Sequence, residues 1–117
     1  MSESNKTILE RANAAILAED HEGFLECCTD DTHWIFVGER TLRGKDAVRQ
    51  WLAETYPTPP RFNVSTYISE GDNLAAIGEI TVTDKQGKST SYSYCDVWRL
   101  RNGKLAELRA YVVETSA

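Results

Sequence analysis

Asp96 and Glu79 are the carboxylates whose placement in the sequence suggests chemistry. Asp96 lies within YCDVWRLRNGK, residues 94–104, a strand-like segment rich in aromatic and β-branched residues, and strands seldom carry aspartate. A carboxyl group in an apolar cavity resists ionisation, and a second carboxylate nearby raises the pKa of one of the two further. An acid beside a base is what enolisation, cyclisation or dehydration requires. We therefore predict Asp96 and Glu79 as a catalytic pair, with Tyr94 donating a hydrogen bond to a developing oxyanion.

Whether the two carboxylates meet depends on the hairpin that joins their strands. If Gln86 and Gly87 form a two-residue turn, Glu79 lies opposite Tyr94 and diagonally beside Asp96, within reach of a shared water or substrate. A slip of one residue would move Glu79 to the other face. The alternative to a catalytic pair is a structural Asp96 that hydrogen-bonds a backbone or tyrosine group and orients the sheet.

A second turn, at Asn102 and Gly103, decides the partner of Asp96 on the last strand. A two-residue turn would pair Asp96 with Arg109 and neutralise it, whereas a three-residue turn with a glycine bulge would pair it with Leu108. We favour the three-residue turn because it sends the charged residues outward. It also gathers an apolar wall that consists of Ala106, Leu108, Ala110 and Val112.

The elements that must position these side chains divide the chain into a helical part and a strand part. Apolar residues at helical spacing predict helices over residues 4–18 and about 45–55, and Asp20 can cap a short helix between them. A buried strand is predicted over residues 32–37. From Arg61 onward the apolar pattern has a period of two, which predicts an antiparallel meander. Its strands are expected at about residues 61–70, 73–84, 88–101 and 104–114.

Length and composition indicate a single α+β domain over residues 1–117. A chain of 117 residues with 41% hydrophobic and 26% charged residues buries one ordinary core, and helices followed by a meander place a curved sheet around a helical layer. The polar start and the short apolar runs predict a cytoplasmic protein with no membrane partner. A net charge of -5 without a basic cluster predicts no nucleic-acid partner.

The cysteines and histidines do not suggest a metal centre. The three cysteines form no C-x-x-C motif, and the two histidines have no paired spacing. We therefore expect reduced thiols, no metal site and no cofactor. Cys95 alternates with Asp96, and His33 alternates with Trp34, so both are expected to point away from the cavity.

Three segments of the chain resemble one protein family. They are AILAEDHEGFLECCTDDTHW, LRGKDAVRQWL and DVWRLRNGKLAELRAYV, and their order and spacing are similar to those of the SnoaL-like proteins within the nuclear transport factor two-like superfamily. The resemblance implies a cystatin-like curved cone, in which N-terminal helices pack in a bent, mostly antiparallel sheet around a ligand cavity. It also implies a homodimer formed through the outer face of the sheet.

Ketosteroid isomerase belongs to the same superfamily, and the resemblance to it is incomplete at the catalytic positions. Asp96 falls at the position of the isomerase's protonated carboxylic acid in the oxyanion hole. The general base falls at Phe36 and the oxyanion-hole tyrosine at Ala12, so steroid isomerisation by that mechanism is disfavoured. SnoaL-like cyclases use an acid-base aspartate in the cavity, and Asp96 resembles it.

The substrate pocket is predicted to hold aromatic and small apolar side chains beside Asp96, although such residues also serve as plain core. We predict a protein that binds a small hydrophobic molecule and acts as an acid-base isomerase, cyclase or lyase. The alternative is a non-catalytic ligand-binding or dimeric interaction module. The predicted pocket residues are Ala12, Trp34, Phe36, Tyr94, Trp98, Leu108 and Ala110.

Overall fold

The computed structural model describes residues 4–116, and most of its elements lie close to the predicted bounds. Strand β2 is missing from the prediction, because four residues with a single buried side chain, Leu42, carry no recognisable period. The helices are α1 (Asn5–Leu17), α2 (His21–Glu26) and α3 (Gly44–Thr55). The strands are β1 (Cys28–Phe36), β2 (Arg40–Arg43), β3 (Arg61–Glu70), β4 (Asn73–Thr83), β5 (Ser89–Arg101) and β6 (Lys104–Glu114).

The strands within residues 4–116 form one sheet in the order β2-β1-β6-β5-β4-β3. Strand β1 runs parallel to β6, and every other neighbouring pair is antiparallel. The buried core lies between the helices and the inner face of the bent sheet. This arrangement confirms the predicted α+β cone with a mostly antiparallel sheet. Within residues 4–116, no helix is long and apolar enough to cross a membrane.

The first two helices begin where the sequence supplies caps. The Oγ atom of Ser4 accepts a hydrogen bond from the backbone N–H of Thr7, at 3.1 Å, and Oδ1 of Asp20 accepts one from Gly23, at 2.9 Å. Each bond satisfies a backbone N–H that the start of a helix leaves unpaired. The inward face of α1 buries Ile8, Leu9, Ala12 and Ile16.

The hairpin between β4 and β5 has a longer turn than predicted. The backbone N–H of Asp84 donates to the carbonyl of Lys88 at 2.9 Å, so residues 85–87 form a three-residue turn, in which Gly87 has a φ of +83°. The carboxylate of Asp84 accepts hydrogen bonds from the backbone N–H groups of Gln86 and Lys88, both at 2.9 Å. These bonds stabilise the longer turn. The predicted two-residue turn is therefore wrong.

This turn reverses the predicted face of Glu79. The partner of Glu79 on β5 is Ser93. Glu79 therefore points to the outer face of the sheet, whereas Asp96, opposite Ala76, points inward. The prediction that Glu79 lies diagonally beside Asp96 is wrong, because one residue of register exchanges the two faces. Cys95 lies on the outer face, as predicted.

The final hairpin closes with a two-residue turn rather than the predicted three-residue turn. Asn102 and Gly103 both have a positive φ, of +53° and +75°, which is the conformation of a type I′ turn. Arg101 pairs with Lys104 across this turn. The predicted three-residue turn is wrong, because an asparagine occupies the left-handed region more readily than most residues do.

A bulge at Ala106 in β6 nevertheless keeps Asp96 away from Arg109. The register shifts where Ala106 is left without a partner on β5, so β6 carries one additional residue there. Asp96 consequently lies opposite Ala110 rather than the predicted Leu108. Because these two residues of β6 are two positions apart, they share the inner face. The predicted inward orientation is correct for Leu108, Ala110 and Val112, which line the cavity, whereas Leu105 packs in the core in place of the bulged Ala106.

Candidate functional site

A cavity of about 380 Å³ lies between the helices and the inner face of the sheet. Aromatic and aliphatic side chains make up most of its wall. Among the described residues that line it, the carboxylate and guanidinium side chains are those of Glu39, Arg40 and Asp96. An apolar cavity of this size with a few polar groups is typical of a small-molecule site.

Asp96 projects into this cavity from the middle of β5. Its neighbours on both adjoining strands are alanines, Ala76 and Ala110, whose small side chains leave space around the carboxyl group. That group makes no hydrogen bond or ion pair with any residue from 4 to 116. Burial raises the pKa of Asp96 from 3.8 to about 7, because an apolar environment disfavours the charged form. Both the acid and the carboxylate are therefore populated at neutral pH.

Of the three tyrosines that line the cavity with Asp96, Tyr56 and Tyr94 are the two whose phenol groups sense its charge. Tyr94 lies two residues before it on the same face of β5, and Tyr56 directly follows the last residue of α3. Burial raises the pKa of both phenols, and the negative charge of Asp96 raises it further. Both hydroxyl groups stay protonated at neutral pH and are free to donate, because neither has a partner among the residues that the structure describes.

Gly78 provides the space that Tyr94 occupies. It lies directly opposite Tyr94 on the neighbouring strand β4. A Cβ atom at this position would lie 2.9 Å from the hydroxyl oxygen of Tyr94 and 2.2 Å from the carbonyl oxygen of Asn63 on β3. Only a residue without a side chain therefore lets the phenol lie across the strand.

Trp34 is at the centre of an aromatic wall of the cavity. Its indole N–H is buried and has no hydrogen-bond partner among residues 4–116. Edge-to-face contacts of this kind favour rings that are packed rigidly, so the wall offers a fixed apolar surface to a planar ligand. The ring centroids within 5.5 to 6.3 Å of Trp34 are those of Phe24, Phe36, Trp51 and Trp98.

The structure brings most of the predicted site residues together and separates two from the rest. Ala12 is fully buried in the core and does not line the cavity. Glu79 is exposed on the outer face of the sheet, so it forms no acid-base pair with Asp96. The predicted residues that line the cavity are Trp34, Phe36, Tyr94, Asp96, Trp98, Leu108 and Ala110.

The polar residues of the cavity that are absent from the prediction include Tyr56, Arg40 and Asn13. Tyr56 continues the four-residue spacing of Val48 and Leu52, a signal that the proline-rich segment after it obscures. Arg40 lies on the unpredicted strand β2. Asn13 lies on α1 between buried positions, where a helical pattern alone does not indicate an inward side chain.

The outer face of the sheet differs from the cavity side, because it carries a cluster of paired charged groups. His33, predicted to point away from the cavity, lies here with Nε2 2.9 Å from Oε1 of Glu107. Nη2 of Arg99 lies 3.5 Å from the same oxygen. Apolar side chains accompany this cluster, and Tyr111 and Val113 are 44% and 66% exposed.

A bent sheet closed by helices around an apolar cavity is the architecture of the nuclear transport factor two-like superfamily. A family model described as a SnoaL-like domain matches residues 9–108. The chain therefore belongs to the SnoaL-like family, as its three sequence segments predicted. No curated protein matches the sequence.

Solved structures of low sequence identity share the fold over nearly the whole chain. A nuclear transport factor two-like protein of unknown function from Burkholderia pseudomallei is 21% identical, with a TM-score of 0.79 over 93% of this chain and 90% of that one. A Δ5-3-ketosteroid isomerase from Mycobacterium sp. is 17% identical, with a TM-score of 0.81 over 94% and 97%. TerC, co-crystallised with polyporic acid, is 20% identical, with a TM-score of 0.79 over 93% and 91%. At these identities the likeness establishes the fold alone.

Proposed function

We propose that the cavity binds a small hydrophobic organic molecule and that Asp96 moves a proton on it. The observation that carries this proposal is a carboxyl group that faces an aromatic cavity without any partner in residues 4–116 and has a pKa of about 7. A buried carboxyl group with no structural bond to make costs stability. Such a cost is typical of functional sites, where pKa values are tuned to neutrality.

The proposed chemistry is enolisation of a carbonyl compound. The carboxylate of Asp96 takes a proton from the carbon next to the carbonyl group, and the electron pair of the broken C–H bond forms the enolate. The protonated Asp96 then returns the proton to the same or another carbon. The second transfer restores the carboxylate, so atoms and charge balance over an isomerisation.

Tyr56 and Tyr94 are proposed to stabilise the enolate oxygen. Both tyrosines line the cavity with Asp96, and their hydroxyl groups have no partner in residues 4–116 and are free to donate. Donors that are already oriented toward a developing negative charge lower the barrier, because no solvent has to reorganise. One carboxyl group and two phenols therefore replace the predicted pair of carboxylates.

A non-catalytic ligand-binding module is the second candidate. It is favoured by the position of Glu79 on the outer face, which leaves Asp96 as the only predicted catalytic carboxylate in the cavity. Under this alternative, the cavity and its phenols recognise a ligand, and Asp96 donates a hydrogen bond without transferring its proton.

The two candidates are separated by hydrogen exchange of 2-tetralone, a planar aromatic ketone, in D2O. Proton NMR follows the loss of the hydrogens next to the carbonyl group. The wild-type protein is expected to accelerate exchange over buffer, and Asp96→Asn to reduce the acceleration by about 100-fold or more. Glu79→Gln is the matched control, because it removes a carboxylate from the outer face, and its rate is expected to equal that of the wild type.

Removal of either phenol gives a second readout. Tyr56→Phe and Tyr94→Phe are each expected to slow exchange by about tenfold to 100-fold. An Asp96→Asn variant that exchanges at the wild-type rate would disprove the catalytic role. A wild-type protein that binds 2-naphthol but does not accelerate exchange would instead establish the binding module.

We also propose a homodimer formed through the outer face of the sheet. The support is the exposure of apolar side chains there, since Ile68, Tyr111 and Val113 are 58%, 44% and 66% exposed. Exposed apolar side chains grouped on one face are typical of interfaces. Sedimentation equilibrium at micromolar concentration is expected to give twice the monomer mass, and Val113→Arg to give a monomer. A monomeric wild-type protein would end this proposal.

A further inference from the structure

Arg40 is a cation at the rim of the cavity that the proposed proton transfer does not use. It is the first residue of β2 and lines the cavity. Its guanidinium makes no ion pair or hydrogen bond within residues 4–116. An arginine in this setting keeps its planar set of donors for a ligand, and that set matches a carboxylate.

Arg40 and Asp96 lie in one row across the sheet. Arg40 pairs with Phe36, which pairs with Ala110, which in turn pairs with Asp96. Directly paired residues project to the same face, so the whole row faces the cavity. The residues between the two charged groups are an aromatic ring and a methyl group, which form an apolar floor.

The length of this row sets the span of a ligand. Three strand spacings of ~4.8 Å place the Cα atoms of Arg40 and Asp96 ~14 Å apart along the sheet. The length of the arginine side chain and the bend of the sheet shorten the distance between the functional groups. The remaining span fits a planar molecule of a few fused rings that contacts both groups at once.

The two charged groups do not neutralise each other. Burial is the cause of the raised pKa of Asp96, and no cation lowers that pKa. Glu39, the neighbour of Arg40 in the turn before β2, also lines the cavity, but no ion pair joins the two side chains in the described part of the chain. The rim therefore offers a ligand one cation and one anion, and only the cation lies in the row of Asp96.

We propose that Arg40 selects planar aromatic ligands with a carboxylate or similar anion at the end opposite to the group that meets Asp96. The proposal rests on the proposed binding function of the cavity. The guanidinium binds the anion at the rim, the rings lie over Phe36 and Ala110, and a ketone or phenol oxygen reaches Asp96 and the two tyrosines. Arg40 is thus a specificity-determining residue that leaves the proton transfer itself to the interior.

Three naphthalene probes of the same shape test this assignment. They are 2-naphthol, which is neutral, 6-hydroxy-2-naphthoate, which adds a carboxylate at the far end, and 6-(aminomethyl)-2-naphthol, which adds a cation there. Fluorescence titration measures the affinity of each probe for the wild type and for Arg40→Gln, Arg40→Lys and Glu39→Gln. Thermal melting checks that each variant is folded, as expected for exposed positions.

The expected result is a preference for the naphthoate over 2-naphthol of about five- to tenfold in the wild type. Arg40→Gln is expected to abolish this ratio, Arg40→Lys to keep part of it, and Glu39→Gln to keep or increase it. Added salt is expected to reduce the ratio, because the rim is solvated.

Several results would overturn the assignment. If Arg40→Gln leaves the ratio of naphthoate to 2-naphthol affinity unchanged, the arginine does not bind the anion. A preference for the aminomethyl probe that Glu39→Gln abolishes would assign the rim to cationic ligands. If the wild type binds 2-naphthol in a manner that depends on Asp96 but shows no preference for the naphthoate, the role of Arg40 alone fails. If it binds none of the probes, the proposed function of the cavity fails with it.

Discussion

Asp96 and Glu107 are carboxylates on adjoining central strands, and they differ in their partners because they lie on opposite faces of the sheet. On the outer face, Glu107 lies 2.9 Å from His33 and 3.5 Å from Arg99. On the inner face, Asp96 lies between two alanines without a partner in residues 4–116. The paired carboxylate stabilises the sheet, whereas the unpaired one makes the folded state less stable in its charged form.

The contrast between the faces is greatest for the large aromatic residues. Trp34→Ala removes the ring at the centre of the aromatic wall and is expected to cost about 3 to 5 kcal/mol in the free energy of unfolding. Ile35→Ala, at the next position and on the outer face, is the control and is expected to cost distinctly less, because Ile35 is only half-buried. Denaturant unfolding measures both. Equal losses would contradict a core confined to the inner face.

The second prediction concerns the dependence of stability on pH. The unfolded chain releases the proton of Asp96 near pH 3.8 and the folded protein near pH 7, so the folded state holds one more proton between these values. Stability is therefore expected to fall as the pH rises from about 4 to about 7, by up to about 4 kcal/mol. Chemical denaturation at a series of pH values measures the slope.

Two variants assign this pH dependence to the inner face. Asp96→Asn is expected to remove the slope and to be more stable than the wild type at pH 8, although it loses the proposed activity. Glu79→Gln removes a carboxylate from the outer face and is expected to keep the slope. A wild-type protein whose stability rises between pH 4 and pH 7 in a manner that depends on Asp96 would contradict the raised pKa.

Gly78→Ala tests how closely the inner face is packed around the site. The added Cβ atom would lie 2.2 Å from a backbone oxygen of Asn63, so the variant is expected to lose about 1 to 3 kcal/mol of stability and to displace the hydroxyl of Tyr94. Glu79→Ala, one residue further on and exposed, is expected to change stability by less than about 0.5 kcal/mol. Similar effects of the two variants would argue against the close approach.

The smallest effect is expected from the outer face. Glu107→Gln removes the negative partner of His33 and Arg99 and is expected to cost about 1 kcal/mol or less, because solvent screens the cluster. Thermal melting at low and high salt measures the loss, which is expected to shrink as salt is added. A gain in stability, as expected for Asp96→Asn, would remove the distinction between the two carboxylates.

The sequence predicts the elements of this fold because the apolar periodicity agrees with the residues that cap or end the helices. Ser4 and Asp20 cap helices where the apolar pattern begins, and the proline-rich segment after Tyr56 ends α3. Six of the seven predicted pocket residues line the cavity together with Asp96, because alternation along β1, β5 and β6 assigns them correctly to one side. Family membership follows from the same segments.

The register between strands is harder to predict, because it depends on single side chains in the turns. The carboxylate of Asp84 holds the first hairpin in a three-residue turn, and this reversed the face of Glu79. In the last hairpin, the turn has two residues where three were predicted, which alone would place Asp96 opposite Arg109. The bulge at Ala106, which was not predicted either, shifts the register by one more residue and places Asp96 opposite Ala110. The two differences cancel, so the predicted face of Asp96 is correct.

The bulge at Ala106 makes the site sensitive to the length of β6 as well as to its composition. Deletion of this one residue would let the register set by the two-residue turn continue along β6, and Asp96 would then pair with Arg109. A guanidinium would then enter the apolar cavity and hold the carboxyl group as a permanent anion. Substitution of Ala106 by another small residue leaves the register intact. Changes of length in this hairpin are therefore compatible with the site only in steps of two residues, so single-residue insertions and deletions here should be the most damaging mutations in the strand.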